Sequence, residues 1–421
     1  MRNIFLTLLA LFFILPSGGQ EALTVQDCID IALKDNPSIR SSLINLEKTR
    51  EKLNTAKAQY FPSLSMSASA RKSSSFSGDD DGLFNSYSAG LSARYSIYQG
   101  GKIKDQVKVA YLNITASELS YDSALQDMVY RIKQAYYSLL QARHNLKTAR
   151  KNVERSETYL ELAKTRLEAG VAILSDVLKV QVELSDARLN LINAENSHRN
   201  AGASLCTLLG LSPSHNVDIA DDLDDVDYIR LPEYRELLGT ALEIRPEIKR
   251  IEKQMEIQNT AIKMSRADYL PGVSLDAGYS YGGSRISDMD DSWNFGVSMS
   301  LSLFSGGATK SAILQEKLAL KDLEYQKEEL IQQVDLALFQ AYNDFAKQEE
   351  VIENSRIYLE NAGLSLEIAQ EGYREGTHSI IELVDAQASL VSAESRYIKS
   401  LADYRISLAS LEKALGQELE R

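Results

Sequence analysis

Apolar side chains alternate with serine and glycine along four short stretches of the chain. Leu64, Met66, Ala68 and Ala70 take turns with Ser63, Ser65, Ser67 and Ser69. Tyr87, Ala89, Leu91, Ala93, Tyr95 and Ile97 do the same with Ser88, Gly90, Ser92, Arg94 and Ser96. Val273, Leu275, Ala277, Tyr279 and Tyr281 form a third stretch, and Trp293, Phe295, Val297, Met299, Leu301 and Leu303 a fourth. A period of two predicts strands, here over residues 62–72, 87–98, 271–281 and 292–304. Elsewhere the spacing is helical. Ile132, Ala135, Leu139, Ala142, Leu146, Ala149 and Val153 step alternately by three and four residues, and Leu338, Ala341, Phe345, Gln348, Ile352, Ser355 and Leu359 match them. That heptad predicts left-handed coiled-coil packing against neighbouring helices. Proline-free runs predict long helices over 102–169 and 308–375, with shorter ones over 175–209 and 379–415. A first helix is expected over 24–60, ending before Pro62.

The patterns recur because the chain is a duplication. Asn36–Ile39 (NPSI) falls on Arg245–Ile248 (RPEI), and Tyr60–Ser65 (YFPSLS) on Tyr269–Ser274 (YLPGVS), both at a separation of 209. From the glycine pairs onward the separation is 206: Gly100-Gly101 meets Gly306-Gly307, Gly170 meets Gly376, and Leu209-Gly210 meets Leu415-Gly416. The repeats span 24–210 and 236–416. The linker between them, 211–235, is acidic and reads as a solvated loop, since it lacks the order of a calcium-binding loop.

Strands of this length, apolar on one face and Ser/Gly on the other, fit a membrane β-barrel. A soluble antiparallel sheet with one wet face shows the same alternation. Too little other sequence remains to cover the apolar faces, however, and Tyr60, Phe61, Tyr98, Tyr269, Trp293 and Phe304 place aromatic rings at strand ends, where a membrane interface would lie. Four strands cannot close a barrel, and lipid does not tolerate an open sheet edge. The membrane reading therefore requires several copies of the chain.

Charge and composition narrow the function. Arg2, the apolar run 4–15 and Pro16-Ser17-Gly18-Gly19 read as a secretory signal, residues 1–20, too short to span a bilayer. A net charge of −13 with no basic cluster argues against nucleic acid. Cys28 and Cys206 make no metal motif, and sequence alone does not pair them. His144, His198, His215 and His378 form no cluster in the sequence. There is no phosphate loop, no G-x-S-x-G and no zinc spacing, so no enzyme, cofactor or metal site is expected.

Taken together, "LTVQDCIDIALKDNPSI", the two strand-Gly-Gly-helix junctions, "RLEAGVAILSDVL" at 166–178 and "GYREGTHSIIELVDAQASL" at 372–390 resemble the TolC-type outer-membrane efflux proteins over essentially the whole mature chain. The resemblance implies a mainly α protein with a membrane β-barrel. Each chain of a homotrimer would give four strands to a twelve-stranded barrel, and its coiled-coil helices would form a periplasmic α-helical barrel closed at its far tip. It implies residence in the outer membrane of a Gram-negative bacterium, with a periplasmic adaptor (membrane fusion protein), an inner-membrane pump and outer-membrane lipid as partners. Such a channel-tunnel serves tripartite efflux or type I secretion passively. The competing reading is a trimeric surface-exposed coiled-coil protein or adhesin.

The resemblance also implies site residues. Gly170 and Gly376 stand at the helix turns that would form the periplasmic end and the adaptor-docking region; a helix C-cap explains both glycines equally well. Glu382 and Asp385 match two acids that line the closed aperture, where six carboxylates in a trimer would repel one another and favour cations. Ser379-Ile380-Ile381-Glu382 also fits a capping box. Asp176 aligns with Glu382, but Lys179 aligns with Asp385, so the acidic pair belongs to one repeat. In the family the position of Asp176 is tied to Tyr373 and to a basic residue where this chain has His378. The histidine is a departure, expected to weaken the closing link and to loosen it as pH rises through the imidazole pKa. Gly100, Gly101, Gly306 and Gly307 are expected at the joint where barrel wall becomes tunnel wall, since glycine permits the turn.

Overall fold

A computed structural model describes residues 22–74, 83–224 and 229–419. The expected signal peptide, the loop between the first two strands and part of the linker lie outside the described residues. The first repeat contains α1 (Val25–Asp35), α2 (Pro37–Ala58), β1 (Ser63–Ser74), β2 (Leu83–Gln99), α3 (Lys102–Glu168) and α4 (Leu174–Leu208). The second contains α5 (Tyr234–Ile244), α6 (Pro246–Arg266), a 3-10 turn (Ala267–Tyr269), β3 (Gly272–Arg285), β4 (Asp288–Ser300), α7 (Ala308–Ala346), α8 (Gln348–Glu375) and α9 (Ile380–Leu415).

Three expected elements differ. The helix over 24–60 is two helices, because the Pro37 ring bars helical geometry at Asn36, which stands extended at φ −66°, ψ 127°. Pro246 does the same to Arg245, at φ −58°, ψ 129°. Both displaced residues serve alike. Asn36 Nδ2 donates to Leu208 O at 2.8 Å, and the Arg245 guanidinium to Ala414 O at 3.2 Å, so each closes the C-terminus of the last helix of its own repeat. The helix over 308–375 is divided at Lys347 into α7 and α8. Neither Pro nor Gly stands there, so the break is not one of local propensity. Phe345 and Gln348 are buried on either side of it, and Glu349 and Glu350 give α8 the acidic first turn that suits a helix start. Finally, the strand over 292–304 ends at Ser300, whose ladder partner Gly272 is the first residue of β3. Residues 301–304 lie past the end of their neighbour, with no strand beside them.

The strands form one antiparallel sheet in the order β1-β2-β3-β4. Period-two alternation sorts hydroxyls to one face, where they bond across strands: Ser65 with Ser92 at 2.8 Å, Ser69 with Ser88 at 2.9 Å, Ser274 with Ser298 and Ser280 with Ser292 at 2.8 Å. Arg94 and Asp276, register partners across β2 and β3, pair on the same face at 2.7 Å. The other face is bare. Leu64, Met66, Trp293, Phe295, Val297 and Met299 are 65–78% exposed. No described helix is long and apolar enough to cross a membrane.

Contacts divide the chain into two units. The first comprises residues 22–36, 129–224 and 347–409. Its core interleaves α3, α4, α8 and α9 through Tyr159, Ala163, Val177, Val180, Leu366, Ala369, Leu383 and Val384. On α3 the heptad residues Ile132, Leu139 and Leu146 are buried, but so are Tyr136, Tyr137 and Leu140, so the buried stripe is wider than a coiled-coil seam. The Tyr136 hydroxyl donates to Ala220 O at 3.0 Å and so ties the linker to α3. Cys28 and Cys206 are buried free thiols, and burial pushes Cys28 up to about 12, out of reach of thiolate chemistry.

The second unit, residues 37–74, 83–128, 229–346 and 410–419, holds the sheet. In it α6 lies along α7, joined by Gln258–Glu316 at 2.5 Å and Lys327–Glu252 at 2.8 Å. Gly100 and Gly101 separate β2 from α3, and Gly306 and Gly307 precede α7. All four are left-handed, with φ between 59° and 87°. The carbonyls of Gly101 and Gly307 accept the first helical bonds, from Asp105 N at 3.1 Å and Ser311 N at 3.0 Å. A Cβ on Gly100 would stand 2.9 Å from Ala267, whereas one on Gly307 meets nothing within 4 Å. Alanine at either position strains the backbone by about 1–2 kcal/mol, and only Gly100→Ala adds a collision. Gly100→Ala should therefore lower the melting temperature more than Gly307→Ala; equal losses would remove any role for the Ala267 contact.

Candidate functional site

The α3–α4 and α8–α9 turns both belong to the first unit, and each closes on a glycine. Gly376, at φ 81°, donates to Tyr373 O at 3.2 Å, and Thr377 N reaches back to Gly372 O at 2.8 Å. Gly170, at φ 76°, donates to Leu167 O, and Val171 N to Arg166 O, both at 3.0 Å. A left-handed residue followed by a longer back-bond is a Schellman ending, so the turn itself requires both glycines.

The next helix, α9, starts with a capping box. Ser379 N donates to Glu382 Oε2 at 2.8 Å, and Glu382 N donates to Ser379 Oγ at 3.3 Å. The Glu382 carboxylate is thus engaged by its own helix while remaining exposed. Asp385 is exposed and has acidic company. Glu183 on α4 is held above the usual carboxylate range by burial, with Asp186 and Asp385 adding to the rise and Lys179 opposing it. Gln387 points the other way. It is 1% exposed and donates to Asn152 Oδ1 at 2.7 Å and Ser156 Oγ at 2.8 Å, a buried pairing with α3 that sets the rotation of α9 about its axis.

Among the described residues, no hydrogen bond joins Asp176, Tyr373 and His378 to one another. The Tyr373 ring is buried, and its hydroxyl has no partner among the described residues. Burial raises the phenol pKa, Arg166 pulls it down, and Asp176 is close enough to raise it again. The His378 imidazole lies against Gly372, with Nδ1 equally unpartnered. Asp176 accepts a long bond from Ile173 N, at 3.5 Å.

A residue that the sequence reading missed links the two turns. Arg166 donates to the carbonyls of Tyr373 and, at 3.3 Å, Arg374, and its guanidinium lies 4.8 Å from the centroid of the Tyr373 ring. The end of α3 is thereby fastened to the end of α8. Both the helix dipole and the ring face favour a cation at that point. The duplication carried a signal for it: Arg166 aligns with Gly372, an arm in one copy where the other has no side chain. A Cβ at Gly372 would stand 2.6 Å from His378 Cγ.

A profile of the family described as "outer membrane efflux protein" matches residues 28–211 and again 237–417, one match per repeat. The chain belongs to the outer membrane efflux protein family. Among similar proteins, CyaE of Bordetella pertussis is 26% identical over 408 residues, covering 96% of this chain and 86% of that protein. The probable efflux pump outer membrane protein TtgC of Pseudomonas putida is 25% identical over 408 residues, with 93% and 82% covered. The open state of the MtrE outer membrane channel of Neisseria gonorrhoeae shares the fold, with a TM-score of 0.78 at 22% identity and 94% and 90% of the chains covered. Membership of this efflux family places the protein in the outer membrane, among channels rather than enzymes, and leaves the adhesin reading without support.

Arg166→Ala should loosen the α8–α9 turn by about 1–3 kcal/mol, the scale of charged hydrogen bonds with a stacked cation. The Thr377 and His378 amides, both bonded to Gly372 O, should then exchange with deuterium at least about tenfold faster. Unchanged exchange would mean that the backbone turn holds without the arginine.

Proposed function

We propose that three copies of this chain close one twelve-stranded barrel in the outer membrane and continue it as a helical tunnel into the periplasm. The tunnel passes substrates outward without covalent chemistry. The carrying observation is the sheet: its apolar face is bare, and β1 and β4 each pair on one side only among the described residues. Lipid would cover that face, and neighbouring copies would take up the edges. Twelve strands also leave an open bore where eight would not, and a hydroxyl-lined face suits the wall of a wet lumen.

The glycine pairs would then be the joints between barrel and tunnel, one per repeat. A periplasmic adaptor and an inner-membrane pump are the partners that efflux requires, with the Gly170 and Gly376 turns at the docking end. TtgC, named as part of an efflux pump, supports this arrangement. The acidic chain has no expected nucleic-acid partner.

Glu382 and Asp385 would ring the periplasmic aperture, with Asp176, Tyr373 and His378 beside it.

The detergent-solubilised trimer should form steady pores in planar bilayers; a trimer that never conducts would overturn the channel reading and revive the adhesin. Asp385→Asn should lower the cation preference measured as reversal potential in a salt gradient. Glu382→Gln should do so while keeping the capping box, since glutamine also serves in that motif. Reversal potentials unchanged in both variants would remove these acids from the aperture.

A further inference from the structure

Within the first unit, α3, α4 and the linker line two adjoining clefts, open to solvent, of about 600 and 640 Å³, which share Arg143 and His198 in their walls. Arg143, Lys147, Arg150 and Lys151 are spaced along one side of α3, and Arg199 joins them from α4. From 143 to 151 a helix rises about 12 Å. These five basic side chains face three acidic ones, in a chain whose net charge is −13.

The acids do not neutralise the wall evenly. Asp221 is held by His144 at 2.7 Å, and Asp218 lies 3.5 Å from Arg143. Arg143 is further fixed by a bond to Ile219 O at 2.9 Å. Arg150 has only a loose contact with Glu195, at 3.9 Å. Glu154 lines the second cleft but pairs with neither Arg150 nor Lys151. Lys147 and Lys151 have no carboxylate partner among the described residues, and Arg199 bonds only a carbonyl of its own helix, Glu195 O at 3.4 Å. His198, where the clefts meet, makes no hydrogen bond among the described residues. Burial and then Arg143 and Arg150 push its pKa below the usual imidazole range, as a locally positive site would.

We propose that these joined clefts bind a molecule bearing a diphosphate group. The cationic side chains are strung over a length that suits two linked phosphates better than one small anion. Arginine forks and lysine point charges are the groups that recognise phosphate oxygens, and the half-buried imidazole adds a donor once an anion is near. Chemically, the ligand is either a free diphosphate or the diphosphate headgroup of a lipid. The inference stands apart from the channel reading, since it needs neither the barrel nor the aperture.

Titration calorimetry on the detergent-solubilised full-length protein, at about 0.15 M salt to screen diffuse attraction, tests it with inorganic pyrophosphate and with a short-chain prenyl diphosphate. Both should bind wild type, and Lys147→Glu/Arg150→Glu should bind at least about tenfold more weakly, with an unchanged far-ultraviolet circular dichroism spectrum and melting temperature as the check on folding. Should the charge reversal fail to assemble, Lys147→Gln/Arg150→Gln provides the same comparison. Equal affinity for the two probes assigns a free diphosphate; affinity for the prenyl compound at least about tenfold greater assigns a lipid headgroup. No binding of either probe below about 10 mM (a free energy weaker than about 3 kcal/mol), or equal binding by wild type and variant, overturns the site.

Discussion

The two outer edges of the sheet constrain everything else in this protein. A strand edge presents a row of amides and carbonyls that must be bonded, and hydrocarbon offers no partner. This sheet has such a row on β1 and another on β4, and an uncovered apolar face between them. Placed in a membrane, it is incomplete until other copies pair with both edges. Once the barrel is shared, helices leaving it must continue a shared wall, which suits heptads with small residues between the large ones. The glycine pairs follow from the same constraint, because extended backbone must become helix within two residues, through the left-handed φ that all four adopt.

Duplication supplied two sets of parts, and the copies have since diverged in their side chains while keeping their backbone devices. The pre-proline residues kept one task with different chemistry: the Asn36 amide and the Arg245 guanidinium each cap the last helix of their own repeat. Both turns kept the left-handed glycine. Around those turns the repeats part company. Arg166 reaches across to the end of α8, while its counterpart Gly372 is the floor on which His378 lies. Gln387 is buried against α3, whereas its counterpart Gln181 is exposed. One repeat thus supplies the arm and the other the acidic pair Glu382 and Asp385, which a symmetric tip could not do.

The elements were legible where one local rule acted alone. Alternation marked the strands, heptads marked the helices, and Gly-Gly marked the places where one gave way to the other. The capping box was readable at Ser379 and Glu382, because it depends on residues three apart. The break at Lys347 was not readable, since no local breaker marks it and burial on either side accompanies it. The early end of β4 was missed because the alternation runs on to Leu303, while ladder bonds need a neighbour of matching length. Arg166 was missed because its partners are carbonyls some two hundred residues away. Likewise, histidines scattered through the sequence gave no sign that His144, His198 and His215 would line adjoining clefts.

The sequence by itself determined the periodicities, the two-fold repeat and the family, because each is a property of neighbours along the chain. Only the tertiary structure decided which polar groups meet: Arg166 with the end of α8, Gln387 with Asn152 and Ser156, Asp385 near Glu183, and a basic wall around His198. Hydrogen bonds and charges act over a few ångströms in space. Which residues come that close is settled by how helices rotate and pack, which no spacing along the chain records.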